Sequence, residues 1–192
     1  VNIISRKPSE TTDVQLEAGY GTYDSWHLDG AVGGALTSNL TARFAVQTIQ
    51  QGSGPQTNYV TGHRIGNVDR TNGRLQMQWK PSDSFNLLLN AHKGYDRSDV
   101  TLYKADNVLT TEENPFASKP RVAGAGVDPY MRLESSGVSL TANASLSPSL
   151  TLTSISAYEH FTRLHVEDTD GTSVRYLDAT YDNRIDQYSQ EL

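Results

Sequence analysis

The chain has 192 residues, a net charge of −6 and 36% hydrophobic residues, with a pI of about 5.3 and a mean hydropathy of −0.53. The acidic balance argues against a nucleic-acid partner, which calls for a basic patch. The absence of cysteine excludes disulfides and thiolate metal sites, and no apolar run approaches the ~20 residues of a membrane helix.

Helical periodicity is nearly absent, and period two recurs instead. Val1–Arg6 reads as a short strand. Val14, Leu16, Ala18 and Tyr20 form an apolar row with Gln15, Glu17 and Gly19 between them. After a short turn at Thr22–Asp24, Trp26, Leu28, Gly30, Val32, Gly34 and Leu36 share a second row. His27, Asp29, Ala31 and Gly33 face the other way. A turn at Thr37–Asn39 leads into Leu40, Ala42, Phe44 and Val46. A long polar stretch, Gln51 to Arg70, follows. Gly73, Leu75, Met77 and Trp79 then run to a turn at Pro81–Ser84, and Phe85, Leu87, Leu89 and Ala91 return. Leu88 breaks the alternation, and Asn72-Gly73 is itself a strong hairpin signal.

A second long stretch runs from Tyr95 to about Leu133. Val138 to Leu146 alternates cleanly and turns at Ser147–Ser149. Leu150 to Phe161 changes parity near Ile155, which predicts a bulge there. A third loop precedes a last strand, Ile185–Leu192. All seven prolines fall outside these predicted strands, where a missing N–H costs nothing.

One face of every strand is apolar and the other small or polar. A soluble sandwich would alternate in the same way, and on periodicity alone the two architectures stand level. The connections separate them. Tight turns alternate with long polar loops, as in a membrane barrel with short turns on one side and long loops on the other. The fold class expected is therefore all-β, an antiparallel transmembrane β-barrel. The apolar row would face acyl chains, with Val32 toward lipid and Ala31 and Gly33 toward the lumen. Only one face needs to be apolar, which accounts for the low hydropathy. The first residue is Val1 rather than Met and lies within a strand-like run, so a piece of a longer chain is expected.

Four segments carry a family resemblance. "VNIISRKP" (Val1–Pro8) resembles the junction between plug and barrel in TonB-dependent outer-membrane receptors. "LEAGYGTYDSWHLDGAVGGALTSNLTARFAV" is similar to the family's first barrel hairpins, "RLQMQWKPSDSFNLLLNA" to its next hairpin, and "DNRIDQYSQEL" to the start of a later strand. The resemblance implies that residues 1–8 end a plug and residues 9–192 are the N-terminal portion of a plugged barrel of about 22 strands, of which some eight lie here. It implies an outer-membrane location and active uptake of a scarce ligand, most often a ferric siderophore. It also implies outer-membrane lipid around the wall and energy from the TonB–ExbB–ExbD complex, through parts of the protein outside this chain. A passive porin and a soluble carbohydrate-binding sandwich are the alternatives.

No nucleophile–base pair or phosphate loop stands out, so neither enzymatic activity nor a cofactor is expected. "EDTDGT" (Glu167–Thr172) offers Asp168, Asp170 and Gly171 as part of a calcium loop, but the other ligands are missing. A polar loop tip is the better reading. The five histidines (His27, His63, His92, His160, His165) show no metal spacing. The long stretches hold aromatics and arginines: Tyr59, Arg64, Tyr95, Arg97, Tyr103, Tyr130 and Arg132. Rings beside guanidinium groups suit an anionic, ring-bearing ligand, so these seven are the candidate ligand-binding residues.

Overall fold

The computed structural model describes residues 6–105, 116 and 119–192. Among the described residues eleven strands occur: β1 (Asp13–Gly21), β2 (Ser25–Ala35), β3 (Leu40–Gln51), β4 (Gln56–Asn58), β5 (Arg64–Ile65), β6 (Val68–Ser82), β7 (Phe85–Asp96), β8 (Val122–Ala123), β9 (Tyr130–Ser147), β10 (Leu150–Asp168) and β11 (Asp178–Glu191). Eight form one antiparallel sheet in the order β1-β2-β3-β6-β7-β9-β10-β11, and β5-β4-β8 make a second, small sheet. Each long strand pairs with the next long strand in sequence. This is the up-and-down meander of a barrel wall, and the fold is an all-β, antiparallel segment of a transmembrane β-barrel.

The registers join into continuous rows. Val14, Val32, Phe44, Leu75, Ala91, Val138, Tyr158 and Tyr188 form one cross-sheet row through all eight strands. One residue along, the row reads Asp13, Gly33, Arg43, Gln76, Asn90, Ser139, Ala157 and Ser189. The first row is apolar and aromatic, the second mostly polar. Because side chains alternate with period two, these rows lie on opposite faces of the sheet. Val32 thus belongs to the apolar face, and Ala31 and Gly33 to the polar one. The apolar face is bare: Val14 is 70% exposed, Val32 50% and Phe44 48%.

Aromatic residues bound that face. Tyr20 pairs with Trp26 beside the outer turn. At the other end the Trp79 and Phe85 rings meet edge to face at 6.2 Å. Trp26 pairs with Gln50 and Trp79 with Leu40, so the two indoles mark opposite ends of β3. Ten residues along a strand tilted by about 40° rise some 25 Å, the height of the apolar band in an outer-membrane barrel.

The strand row read from Gly73 to Trp79 stands: Asn72-Gly73, despite its hairpin signal, lies inside β6, opposite Gln47 and Val46. The side chains around them complete a full row, and that pairing outweighs local turn preference. Pro81 lies within β6 rather than outside it. The ladder with β7 shifts between Trp79 and Ser82, so the missing N–H falls at an irregularity. No bulge occurs at Ile155, since the β9–β10 register is unbroken from Thr151 to Val166 and shifts only between Leu150 and Thr151. The apolar parity fails there because Ser154 and Ser156 occupy the outer row and Ile155 and Ala157 the inner one.

β9 and β10 run 18 and 19 residues and β11 starts at Asp178, so all three are longer than expected. A tilted membrane strand needs only ~9–11 residues, and the excess lies at the long-loop end of these strands. The strand predicted at Val1–Arg6 lies outside the described residues except for Arg6, which is not in a strand.

The core does not lie on the large sheet. Among the described residues the buried hydrophobic ones are Ile65, Leu102, Ala123 and Ala125, all within the long connections. The stretches read as polar loops therefore pack into a folded layer at one end of the wall.

Candidate functional site in the loop layer

Asn58, at the end of β4, is fully buried. Its Nδ2 donates to the Ala125 carbonyl at 3.0 Å and to Asp128 Oδ1 at 2.8 Å. Its Oδ1 accepts from the Val60 and Ala125 amides, each at 3.1 Å. One side chain thus ties the first long connection to the second. Gln56 does the same for Leu102, accepting from its amide at 2.9 Å and donating to its carbonyl at 3.2 Å. Asp128 also accepts from Thr61 at 2.8 Å and lies 2.5 Å from His63 Nδ1. Burial pushes the Asp128 carboxyl up. Hydrogen bonds from His63, Asn58 and Thr61 outweigh that and hold it below the usual carboxylate range.

The seven candidate residues do not converge. Arg64, on β5, places its guanidinium 6.0 Å from the Tyr23 ring centre and donates to the Gly54 carbonyl. Tyr59 packs on Phe116 with ring centres 5.1 Å apart. Tyr103 is 52% exposed beside buried Leu102. The remaining four lie at the tops of β7 and β9. Arg97 covers the Tyr95 ring at 4.8 Å and Arg132 the Tyr130 ring at 5.0 Å. Tyr95 pairs with Glu134, continuing the outward row of Ala91 and Val138, so this group flanks the outer side of the wall. An open groove of about 430 Å³ there includes Arg97, Arg132, Glu134 and Thr162.

Two residues that patterning did not single out join Arg64. Tyr23 sits at the tip of the β1–β2 turn, and Arg121 comes from the far end of the second long connection. The Arg121 guanidinium lies 5.7 Å from the Tyr23 ring centre and donates to the Tyr23 hydroxyl. Chain separation hides such a trio from any local pattern.

Asp168, Asp170 and Asp178 bring carboxylate oxygens within 4.8 Å of one another, the one group among the described residues able to close on a cation. Most of their acceptors are occupied. Asp168 accepts from the Gly126 and Gly171 amides, each at 2.7 Å, and Asp170 from Thr172 and Leu177. Asp178 Oδ1 has no partner. Burial, with the charges of Asp170 and Asp178, pushes the Asp168 carboxyl above its ordinary range despite the amide bonds.

Each histidine faces a single carboxylate: His27 with Glu17, His63 with Asp128, His92 with Glu159, His160 with Asp186 and His165 with Glu167. No two share a partner.

On the inner face an open groove of about 820 Å³ is lined by Gln15, Glu17, Asp29, Arg43, Arg74 and His92, among others. Arg43 is only 8% exposed. It is held by Asp13 at 2.6 and 2.8 Å and by Gln15 at 3.0 Å. Asp13 in turn meets Arg6 at 2.9 Å, so the segment leading into β1 arrives on this polar side.

These features define a class by fold: the wall of a membrane barrel, apolar outside, polar inside, with a structured layer on the long-loop end. No family model matches the sequence. Among solved structures, the chain is similar to the crystal structure of the ferric yersiniabactin uptake receptor FyuA from Yersinia pestis. The TM-score is 0.71 at 18% identity, over 97% of this chain and 28% of that receptor. The chain therefore spans about a quarter of that receptor's length, and at this identity the likeness establishes the shared fold.

Proposed function

We propose that this chain is part of a TonB-dependent outer-membrane transporter that takes up a scarce ligand, in the first place a ferric siderophore. The observation that carries the reading is the unbroken outward apolar row beneath a folded loop layer. The same fold in a ferric yersiniabactin uptake receptor supports it. A wall with an apolar exterior belongs in lipid, and a loop layer with its own core can hold a ligand above the pore. In this reading the rest of the protein closes the pore. Uptake then draws on the inner-membrane proton gradient through TonB–ExbB–ExbD, because the outer membrane has no energy source of its own.

The test is whole-cell uptake of candidate ferric siderophores by the full-length protein, with and without a protonophore, in cells with and without TonB. Uptake that stops in de-energised or TonB-less cells while surface binding persists is the expected result. Uptake that continues unchanged would instead identify a passive pore.

A further inference from the structure

The β1–β2 turn is built against its own backbone preference. Tyr23 and Asp24 both have positive φ, +63° and +53°, and the Ser25 amide closes the turn on the Thr22 carbonyl at 3.3 Å. A two-residue turn with both central φ positive strongly favours Asn-Gly, Asp-Gly or Gly-Gly. For a bulky side chain this conformation is an outlier. Such strain is retained where surrounding structure enforces it, and it concentrates at ligand clamps and other functional sites.

The side chain held there is a phenol flanked by Arg64 and Arg121, two exposed guanidinium groups within 6.0 Å and 5.7 Å of one ring centre. Neither arginine has a carboxylate within salt-bridge reach among the described residues. Arg64 spends Nε and Nη2 on the Gly54 carbonyl, and Arg121 spends Nη1 on the Tyr23 hydroxyl. Several N–H donors are left over, and the Tyr23 hydroxyl, already accepting, keeps its own proton to donate. Two cations drawn to one ring repel one another, and an anion between them relieves that.

We infer that Tyr23, Arg64 and Arg121 form a subsite for the anionic oxygens of the transported chelate. The inference rests on the transporter reading above and assigns three residues, two of them outside the seven sequence candidates, to the anionic side of its cargo. The subsite combines the first turn, β5 and the chain just before β8, so an anion bound there would bridge the wall to the loop layer.

The experiment uses the full-length receptor in detergent and two iron chelates of opposite charge. Ferric tris(2,3-dihydroxybenzoate) is the anionic probe and ferrioxamine B the cationic control, with affinity read by equilibrium dialysis at low and high salt. Wild type should prefer the anionic chelate, more so at low salt. Arg64→Gln with Arg121→Gln should weaken that binding by about tenfold or more, the worth of charge-assisted contacts. Tyr23→Asn separates binding from folding. Asn suits positive φ, so the variant should keep or raise the melting temperature while binding the anionic chelate more weakly.

Variants that bind the anionic chelate as wild type does would overturn the subsite, as would a Tyr23→Asn protein whose loop layer unfolds. Preference for ferrioxamine B would overturn the subsite but leave the transporter reading standing. A wild-type receptor that binds neither chelate, and transports no ferric siderophore in the uptake test, would remove both.

Discussion

His92 and Glu159 meet over a glycine: their Nε2 and Oε2 atoms are 3.2 Å apart, although a whole strand separates β7 from β10. Gly137 is the residue between them in the row. A Cβ there would lie 2.2 Å from Glu159 Oε2. The pair exists because β9 carries no side chain at that point. Gly137→Ala should push the flexible Glu159 carboxylate aside and break the contact, with a stability cost of roughly 1 kcal/mol or less, because both groups are partly solvated. In a double-mutant cycle, Gly137→Ala and Glu159→Gln should therefore be non-additive. Full additivity would show that the pair is not coupled.

The two faces of β3 should respond differently to charge. Val46 lies on the outer row, between the Trp79 and Trp26 levels, and Ala45 faces the inner groove. Val46→Arg should cost about 2–4 kcal/mol in refolding of the full-length barrel into bilayers, and Ala45→Arg much less. Equal costs would contradict the orientation of the wall.

The loop layer depends on Asn58. Replacing it with Ala removes four hydrogen bonds and leaves the Ala125 amide and carbonyl buried without partners. The expected loss is about 3 kcal/mol, confined to this layer. Amide exchange should quicken across β4, β5 and β8 and stay slow in β2 and β3. Slow exchange throughout would remove Asn58 as the tie.

Acid should loosen the same layer. Asp128 has its folded pKa below the unfolded value, because the bonds from His63, Asn58 and Thr61 outweigh the effect of burial. Its stabilisation is complete above the ordinary carboxylate range and is lost as pH falls through that range to the lower folded pKa. Asp168 has the opposite sign. Its pKa is raised by burial, so its contribution favours folding at low pH and is lost as pH rises through the raised value. Asp128→Asn should flatten the acid side of the layer's stability profile, and Asp168→Asn should flatten the side above it. Unchanged profiles measured by amide exchange between pH 3 and 7 would contradict these assignments.

Expressed by itself in buffer, the 192-residue chain should aggregate. β1 and β11 are open edges. The described core consists of Ile65, Leu102, Ala123 and Ala125 alone, while Val14, Leu16 and Tyr20 are 70–78% exposed. A monomeric species unfolding cooperatively without detergent would argue for a soluble sandwich instead.

The sequence by itself determined the wall. A strand turns every second side chain to the same face, so the alternation of Val32, Phe44 and Leu75 with Gly33, Arg43 and Gln76 specified both faces. The tight turns at Thr37–Asn39 and Ser147–Ser149 specified which strands are neighbours. Where pairing across the sheet competes with local preference, pairing wins: the hairpin signal at Asn72-Gly73 makes no turn and the bulge expected at Ile155 does not form, since both lie in unbroken register. Only the tertiary structure decided the loop layer. Period-two patterning carries no information about segments such as 52–67 and 97–129, whose few apolar residues meet across long chain separations. Asn58 finds Asp128 there, and Tyr23 finds Arg64 and Arg121. Those meetings are set by loop closure and by the need to satisfy each buried polar group, conditions that no local run of residues expresses.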